Sequence, residues 1–144
     1  MKVQIDYIED GENEIIIKCT EMNKEILKIM SLLDMTNRKI SGYKDGELHL
    51  LEPSQIYYFE SVDKSVFAYT QDDIFRITTN LSELETIFED FGFFRCSKSM
   101  IVNLNAISSL KSEMGNRINA CLKNGEHIVI SRHYAKRLRQ IFQK

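Results

Sequence analysis

From Gln55 onward the chain is cut into short β-branched and aromatic runs by tight polar turns, and that spacing restricts how the runs can pair. IYYFES (56–61), SVFAYT (65–70) and DIFRIT (73–78) follow one another across gaps of only a few residues. A parallel crossover needs a dozen residues or more, so runs this close can only fold back antiparallel on their neighbours. The pattern returns with ISSL (107–110), RINACL (117–122) and HIVI (127–130). The first two are separated by Met114-Gly115-Asn116 and the last two by Asn124-Gly125, a strong two-residue hairpin signal. Upstream, VQIDYI (3–8) and EIIIKC (14–19) flank the polar turn EDGENE and read as a hairpin. KISGY (39–43) and ELHLL (47–51) flank Lys-Asp-Gly and read as a second one.

Three segments carry helical spacing instead. Residues 22–35 place Ile26, Ile29, Met30 and Leu33 on one stripe, which predicts an amphipathic helix with a core-facing side. Asn80 opens a helix over 81–91, with Glu83 three residues later in capping-box position. Leu81, Leu84, Ile87, Phe88 and Phe91 form its apolar face, and Gly92 follows as a left-handed stop. Ser131 is placed to cap a last helix over 132–143, with Tyr134, Leu138, Ile141 and Phe142 turned inward and Arg132, Lys136, Arg137 and Arg139 outward. The expected fold is mainly β with a few helices, in the α+β class.

Charge divides the chain in two. Residues 1–91 hold 9 Lys and Arg against 19 Asp and Glu, a net of −10, whereas residues 92–144 hold 10 against 2, a net of +8. The whole-chain value of −2 therefore hides an acidic first part and a basic last third. Such asymmetry fits either a surface for nucleic acid or another anionic partner, or basic side chains that pair with acidic ones across the fold. Charge alone leaves both open.

Other classes are disfavoured. No apolar run approaches the roughly 20 residues that span a bilayer, and the N-terminus turns acidic at once, unlike a secretory signal. Three unclustered cysteines (Cys19, Cys96, Cys121) fit a reducing cytoplasm, with Cys19 and Cys121 expected as small buried hydrophobes. Phosphate-loop, dinucleotide, nucleophile-elbow and zinc-protease signatures are missing. Cys96, Cys121, His127 and His133 lack the paired spacing with which zinc ligands usually arrive. The chain is expected to be no enzyme and to need no metal, cofactor or small-molecule substrate.

Four stretches, in order, carry a resemblance. They are IYYFES with the Lys-Ser turn after it, NLSELETIF, FFRCSKSMIVNLNAI and ISRHYAKRL. Over residues 55–142 the chain resembles the LytTR-type DNA-binding domain of bacterial regulators. The third stretch is the most specific, since the family reads roughly Phe-Phe-Arg-x-His-x-Ser-x-x-Val-Asn. Here Ser97 stands where the family has histidine, and His133 replaces the second arginine of the closing stretch.

The resemblance implies an elongated, mostly β fold whose strand-end loops enter successive major grooves of double-stranded DNA at promoter repeats. Carried over by position, the contacts are Lys64, Ser65 and Val66 in the first loop and Ser97, Lys98 and Ser99 in the second, with Asn103 supporting that loop. Arg132 and His133 start the last helix, and Lys136 and Arg137 complete the set. Val66, Lys98 and His133 correspond to base-reading positions, although valine cannot hydrogen-bond a base edge. Lysine and histidine suit base edges, and the serines and Lys64 suit phosphate oxygens. The alternative is a protein-interaction or signal-binding module with weakened DNA readout.

Residues 53–144 are thus expected to form the DNA-binding domain. Residues 1–52, read as hairpin, helix and hairpin, are expected to be an extension for dimerisation or partner binding, and the chain a cytoplasmic homodimer. They are too few for a receiver domain. Some free-standing members of the family answer to a membrane-protein inhibitor encoded beside them, which the resemblance makes a candidate partner.

Overall fold

A computed structural model describes residues 1–35 and 39–142. Helix α1 (Lys24–Met35) comes first, followed by the hairpin β1 (Ile40–Lys44) and β2 (Glu47–Leu51). Strands β3 (Tyr58–Val62), β4 (Ser65–Tyr69) and β5 (Ile74–Ile77) lead into α2 (Leu81–Phe88). Then come β6 (Phe93–Ser97), β7 (Met100–Asn103), β8 (Ile107–Ser112), β9 (Ile118–Leu122), β10 (His127–Ile130) and α3 (Arg132–Phe142).

All strand pairs are antiparallel, as the short gaps require. Seven strands form one sheet in the order β2-β1-β5-β4-β3-β7-β6, and β10-β9-β8 form another. The hairpin β1–β2 is continuous with the larger sheet through Tyr43 opposite Arg76. Strand alternation then sorts the side chains onto two faces. On one face Phe59, Val66, Ala68, Phe75, Ile77 and Ile101 meet Leu81, Leu84 and Phe88 of α2. On the other, Tyr58, Phe94, Cys96 and Val102 meet the smaller sheet and Ala135 and Leu138 of α3. Central strands such as β7 are therefore covered on both sides. Tyr58 ties the two sheets together: its ring stacks on Tyr69 at 4.4 Å and its hydroxyl donates to Glu126 Oε2 at 2.8 Å. Burial, with the Glu126 bond second, pushes the Tyr58 hydroxyl well above its ordinary pKa.

The ends of α2 follow their sequence signals. Asn80 Oδ1 accepts from the Glu83 N–H at 2.9 Å, and Gly92 ends the following 3₁₀ turn at φ 83°. Several expectations need correction, among them Met30, which is exposed rather than core-facing on α1. Residues 1–23 form no strands, and Tyr7 is 95% exposed. Almost every residue of the segment is exposed, and two strands alone are marginal in water. Cys19, in the same segment, is exposed and Cys121 half-buried, whereas Cys96 is buried. Ile141 and Phe142 are exposed, because α3 turns Ala135 and Leu138 inward instead; residue 143 lies outside the described residues. Finally, Asn124-Gly125 does not form a two-residue turn. The Leu122 N–H donates to Glu126 O at 2.8 Å, closing a three-residue loop with Gly125 left-handed at φ 90°.

Candidate nucleic-acid interface

The turn between β3 and β4 is two residues long. Asp63 (φ 50°) and Lys64 (φ 69°) both adopt left-handed backbone, and Val62 pairs with Ser65. This mirror-image turn matches the twist of the flanking strands. Lys64 is exposed and Ser65 half-buried. Val66, by contrast, is only 8% exposed. The alternation of β4 turns it, with Ala68, onto the α2 side. Its side chain is therefore core, which corrects its placement among base-reading groups.

The turn between β6 and β7 sits beside the first one. Ser97 pairs with Met100, leaving Lys98 and Ser99 at the tip. The Ser97 hydroxyl accepts from the Ser99 N–H at 3.2 Å. The Ser61 N–H donates to Ser99 O at 2.8 Å, which ties the tip to the end of β3. Because Glu60 lies opposite Met100, the end of β3 and the start of β7 coincide, and both turns crown one end of the large sheet.

Arg95 holds the second turn from behind. Its Nε donates to Ser97 O at 2.8 Å, its Nη2 to Lys98 O, and its Nη1 to Glu85 of α2 at 3.1 Å. Three bonds from one planar fork fix the backbone on either side of the Lys98 peptide. Lys98 itself stays exposed. Cys96 lies at a bulge between Arg95 and Ser97, fully buried, and burial pushes its thiol up to about 12. The sequence reading missed this role of Arg95. A lone charge inside the apolar run FFRCS was the available signal.

The third element is brought in by one long-range bond. The Ser131 N–H donates to Cys96 O at 3.1 Å, setting the start of α3 next to the Ser97–Ser99 turn. The Ser131 carbonyl accepts from the Ala135 N–H at 2.8 Å. Arg132 and His133 occupy the exposed first turn of α3, which has no acidic residue. A cation there opposes the positive end of the helix dipole, a conflict that a bound anion relieves. The His133 ring meets Tyr134 edge-on at 4.9 Å. Lys136 and Arg137 follow on the exposed side, with the Arg137 guanidinium 5.7 Å from the Phe94 ring centre.

The structure therefore gathers Lys64, Ser65, Ser97, Lys98, Ser99, Arg132 and His133 at one end of the molecule. Asn103 does not support that end. It is buried at the far end of β7, where its Nδ2 donates to Ile56 O at 2.9 Å and its Oδ1 accepts from the Asn105 N–H at 3.0 Å. It holds the chain reversal after β7 rather than the reading loop, because β7 carries it away from the tip. A cleft of about 890 Å³ also lies at that far end, lined in part by Tyr57, Phe91, Gly92, Asn105 and Lys123. Among the described residues no group of three or more His, Cys, Asp or Glu side chains could hold a metal. No helix among them is long and apolar enough to cross a membrane.

Comparison with known proteins follows this geometry. The family model of the LytTr DNA-binding domain matches residues 46–143. An uncharacterized HTH-type transcriptional regulator of Staphylococcus aureus strain bovine RF122 / ET3-1 is 30% identical over 133 residues, covering 91% of this chain and 90% of the relative. A regulator of the same description from strain NCTC 8325 / PS 47 matches to the same extent. Among solved structures, the LytTr DNA-binding domain of a putative methyl-accepting/DNA response regulator from Bacillus cereus superposes with a TM-score of 0.70 at 23% identity, covering 74% of this chain and 97% of that one. The helix-turn-helix in the relatives' description is not the arrangement here. Five strands separate α2 from α3 in the sequence.

Proposed function

This chain belongs to the LytTR DNA-binding domain family and is a DNA-binding transcriptional regulator rather than an enzyme, and we propose that it reads its operator with the end of the fold that carries the two turns and the start of α3. The observation that supports this reading is the bond from Ser131 to Cys96, which brings the start of α3 beside the β6–β7 turn, as the Ser61–Ser99 bond does for the β3–β4 turn. Lys98 and His133 are the base-reading groups, with donors suited to guanine O6 and N7 or to another base edge. Lys64, Ser65, Ser97, Ser99, Arg132, Lys136 and Arg137 face phosphate. Val66 is left out because its side chain is core. Asn103 holds the fold and not the DNA.

The chain acts as a homodimer in the cytoplasm on repeated half-sites. Residues 53–144 supply DNA binding and residues 1–52 dimerisation or a regulatory contact, for which a membrane-protein inhibitor is the candidate partner. The sheet runs across that division, since β1 and β2 belong to it. The test is a gel shift against the promoter upstream of the chain's own gene. A shift is expected whose logarithmic affinity falls with the logarithm of salt by about 0.9 per phosphate neutralised. No salt-sensitive shift with any promoter fragment would reject the reading.

A further inference from the structure

The charge division of the sequence is hardly neutralised inside the chain. Among the described residues one ion pair, Arg95 with Glu85, joins the basic last third to the acidic first part. Two surfaces of complementary character remain.

One lies on the smaller sheet near the C-terminal end of α3. Leu110, Ser112, Ile118, Leu138, Arg139 and Phe142 line a groove of about 180 Å³. Its floor is apolar, and Phe142 and Leu110 are 54% and 39% exposed. β8 is the outer strand of its sheet, paired with β9 on one side only, so its other edge offers unpaired backbone groups. Arg139 lines the groove and donates to Asn116 O, which sets it beside Arg117 at the groove's end. Arg117 donates to Met114 O, and neither arginine has a carboxylate partner among the described residues.

The other surface is the segment 3–17. It carries Asp6, Glu9, Asp10, Glu12 and Glu14 and no lysine or arginine. Val3, Ile5 and Tyr7 alternate, which puts three apolar side chains on one face of an extended strand, and all three are exposed. The segment has the pattern of a strand and no strand to pair with.

We propose that residues 3–17 of a second copy of this chain add to the free edge of β8, seat an apolar side chain in the groove and set their carboxylates against Arg117 and Arg139. Strand addition satisfies the open backbone edge, and pockets for alternate side chains fix the register. Reciprocal exchange between two copies closes the assembly with two-fold symmetry. A second copy is favoured over the chain's own segment because within one copy residues 3–17 pair with no strand and stay almost entirely exposed, although the β8 edge of the same chain is open. A strand is favoured over a duplex because the groove floor is apolar and the open β edge alternates donors with acceptors, which matches another backbone rather than a row of phosphates. The inference rests on the dimer reading and gives that dimer its surface.

Sedimentation velocity on the full chain without DNA tests it, with circular dichroism confirming that each variant is folded. The wild type is expected to dimerise. Arg117→Glu with Arg139→Glu, and separately Glu12→Lys with Glu14→Lys, should each weaken the dimer by about tenfold or more through like-charge contact. An equimolar mixture of the two variants should dimerise again, because each reversed surface then meets its complement. A wild type that stays monomeric at every concentration overturns both this inference and the dimer reading. A dimer that neither variant weakens overturns this inference alone. Protection of segment 3–17 from hydrogen exchange at dilutions where the wild type is monomeric would place the segment on its own chain and overturn this inference alone as well. Loss of DNA binding in the arginine variant with an unchanged dimer would assign those cations to phosphate and overturn it as well.

Discussion

Arg95→Lys keeps a positive charge behind the β6–β7 turn but removes the fork that holds it. Arg95 has a side chain only 14% exposed and binds Ser97 O, Lys98 O and Glu85 at once. A hydrogen bond from a charged donor contributes roughly 1.5–3 kcal/mol to stability. Lysine can keep one partner, and carbonyls near the surface recover part of the loss from water. A net cost of about 2 kcal/mol remains, most of it in the order of the turn. For a chain of this size that lowers the melting temperature by roughly 4–8 °C. DNA must then reorder the turn to reach Lys98, so specific affinity should fall by up to about thirtyfold. Affinity for scrambled duplex should hardly change, because the phosphate-facing charge is untouched. Fluorescence anisotropy against cognate and scrambled duplexes, with a thermal melt of the same samples, reads both effects. An unchanged ratio of the two affinities, or an equal loss on both duplexes, would refute the positioning role of Arg95.

Other substitutions probe the frame. Gly42→Ala would place a Cβ 2.8 Å from Phe75 Cβ and 2.9 Å from Leu51 Cδ1, and this overpacking should cost about 2 kcal/mol in a denaturant melt. Asn103→Ala should cost about 2–3 kcal/mol by stranding the Ile56 carbonyl and the Asn105 N–H, while the specificity of the folded fraction stays the same in anisotropy. Burial holds the Cys96 thiol at about 12 against an ordinary 9.0, so its neutral form stabilises the fold fully below about pH 9, and that contribution should fade as pH rises from 9 toward 12 in pH-dependent melts. In the same state a thiol reagent near pH 8 should modify exposed Cys19 quickly and Cys96 only on unfolding.

Much of the fold was legible because its signals are local. The β3, β4 and β5 runs, the Asn80 cap and the Gly92 stop are each decided within a few residues, and each formed where the sequence placed it. The failures are non-local. VQIDYI alternates as well as any strand in the molecule, yet alternation says nothing about a partner, and among the described residues no strand pairs with it. Asn124-Gly125 gave the loop its left-handed glycine but not its length, which the Leu122–Glu126 pairing decides. At the site, turns and cations were readable by position, whereas their meeting was not. That meeting depends on Ser131 reaching Cys96 across 35 residues of sequence, and on Arg95 folding back on its own turn. Val66 shows the reverse error. A position carried over from a family pattern said where the residue sits, and strand parity decided which way it faces.

The central claim is that the end bearing Lys98 and His133 discriminates between DNA sequences. The most direct measurement is the ratio of affinities for the promoter duplex and a scrambled duplex at fixed salt, for the wild type, for Lys98→Ala with His133→Ala, and for Lys64→Ala with Arg137→Ala. The first pair should cut the ratio by about tenfold or more, at roughly 1–3 kcal/mol per base contact. The second should weaken both duplexes alike and flatten the salt dependence by about one phosphate per cation. A ratio left intact by the loss of Lys98 and His133 would contradict the account.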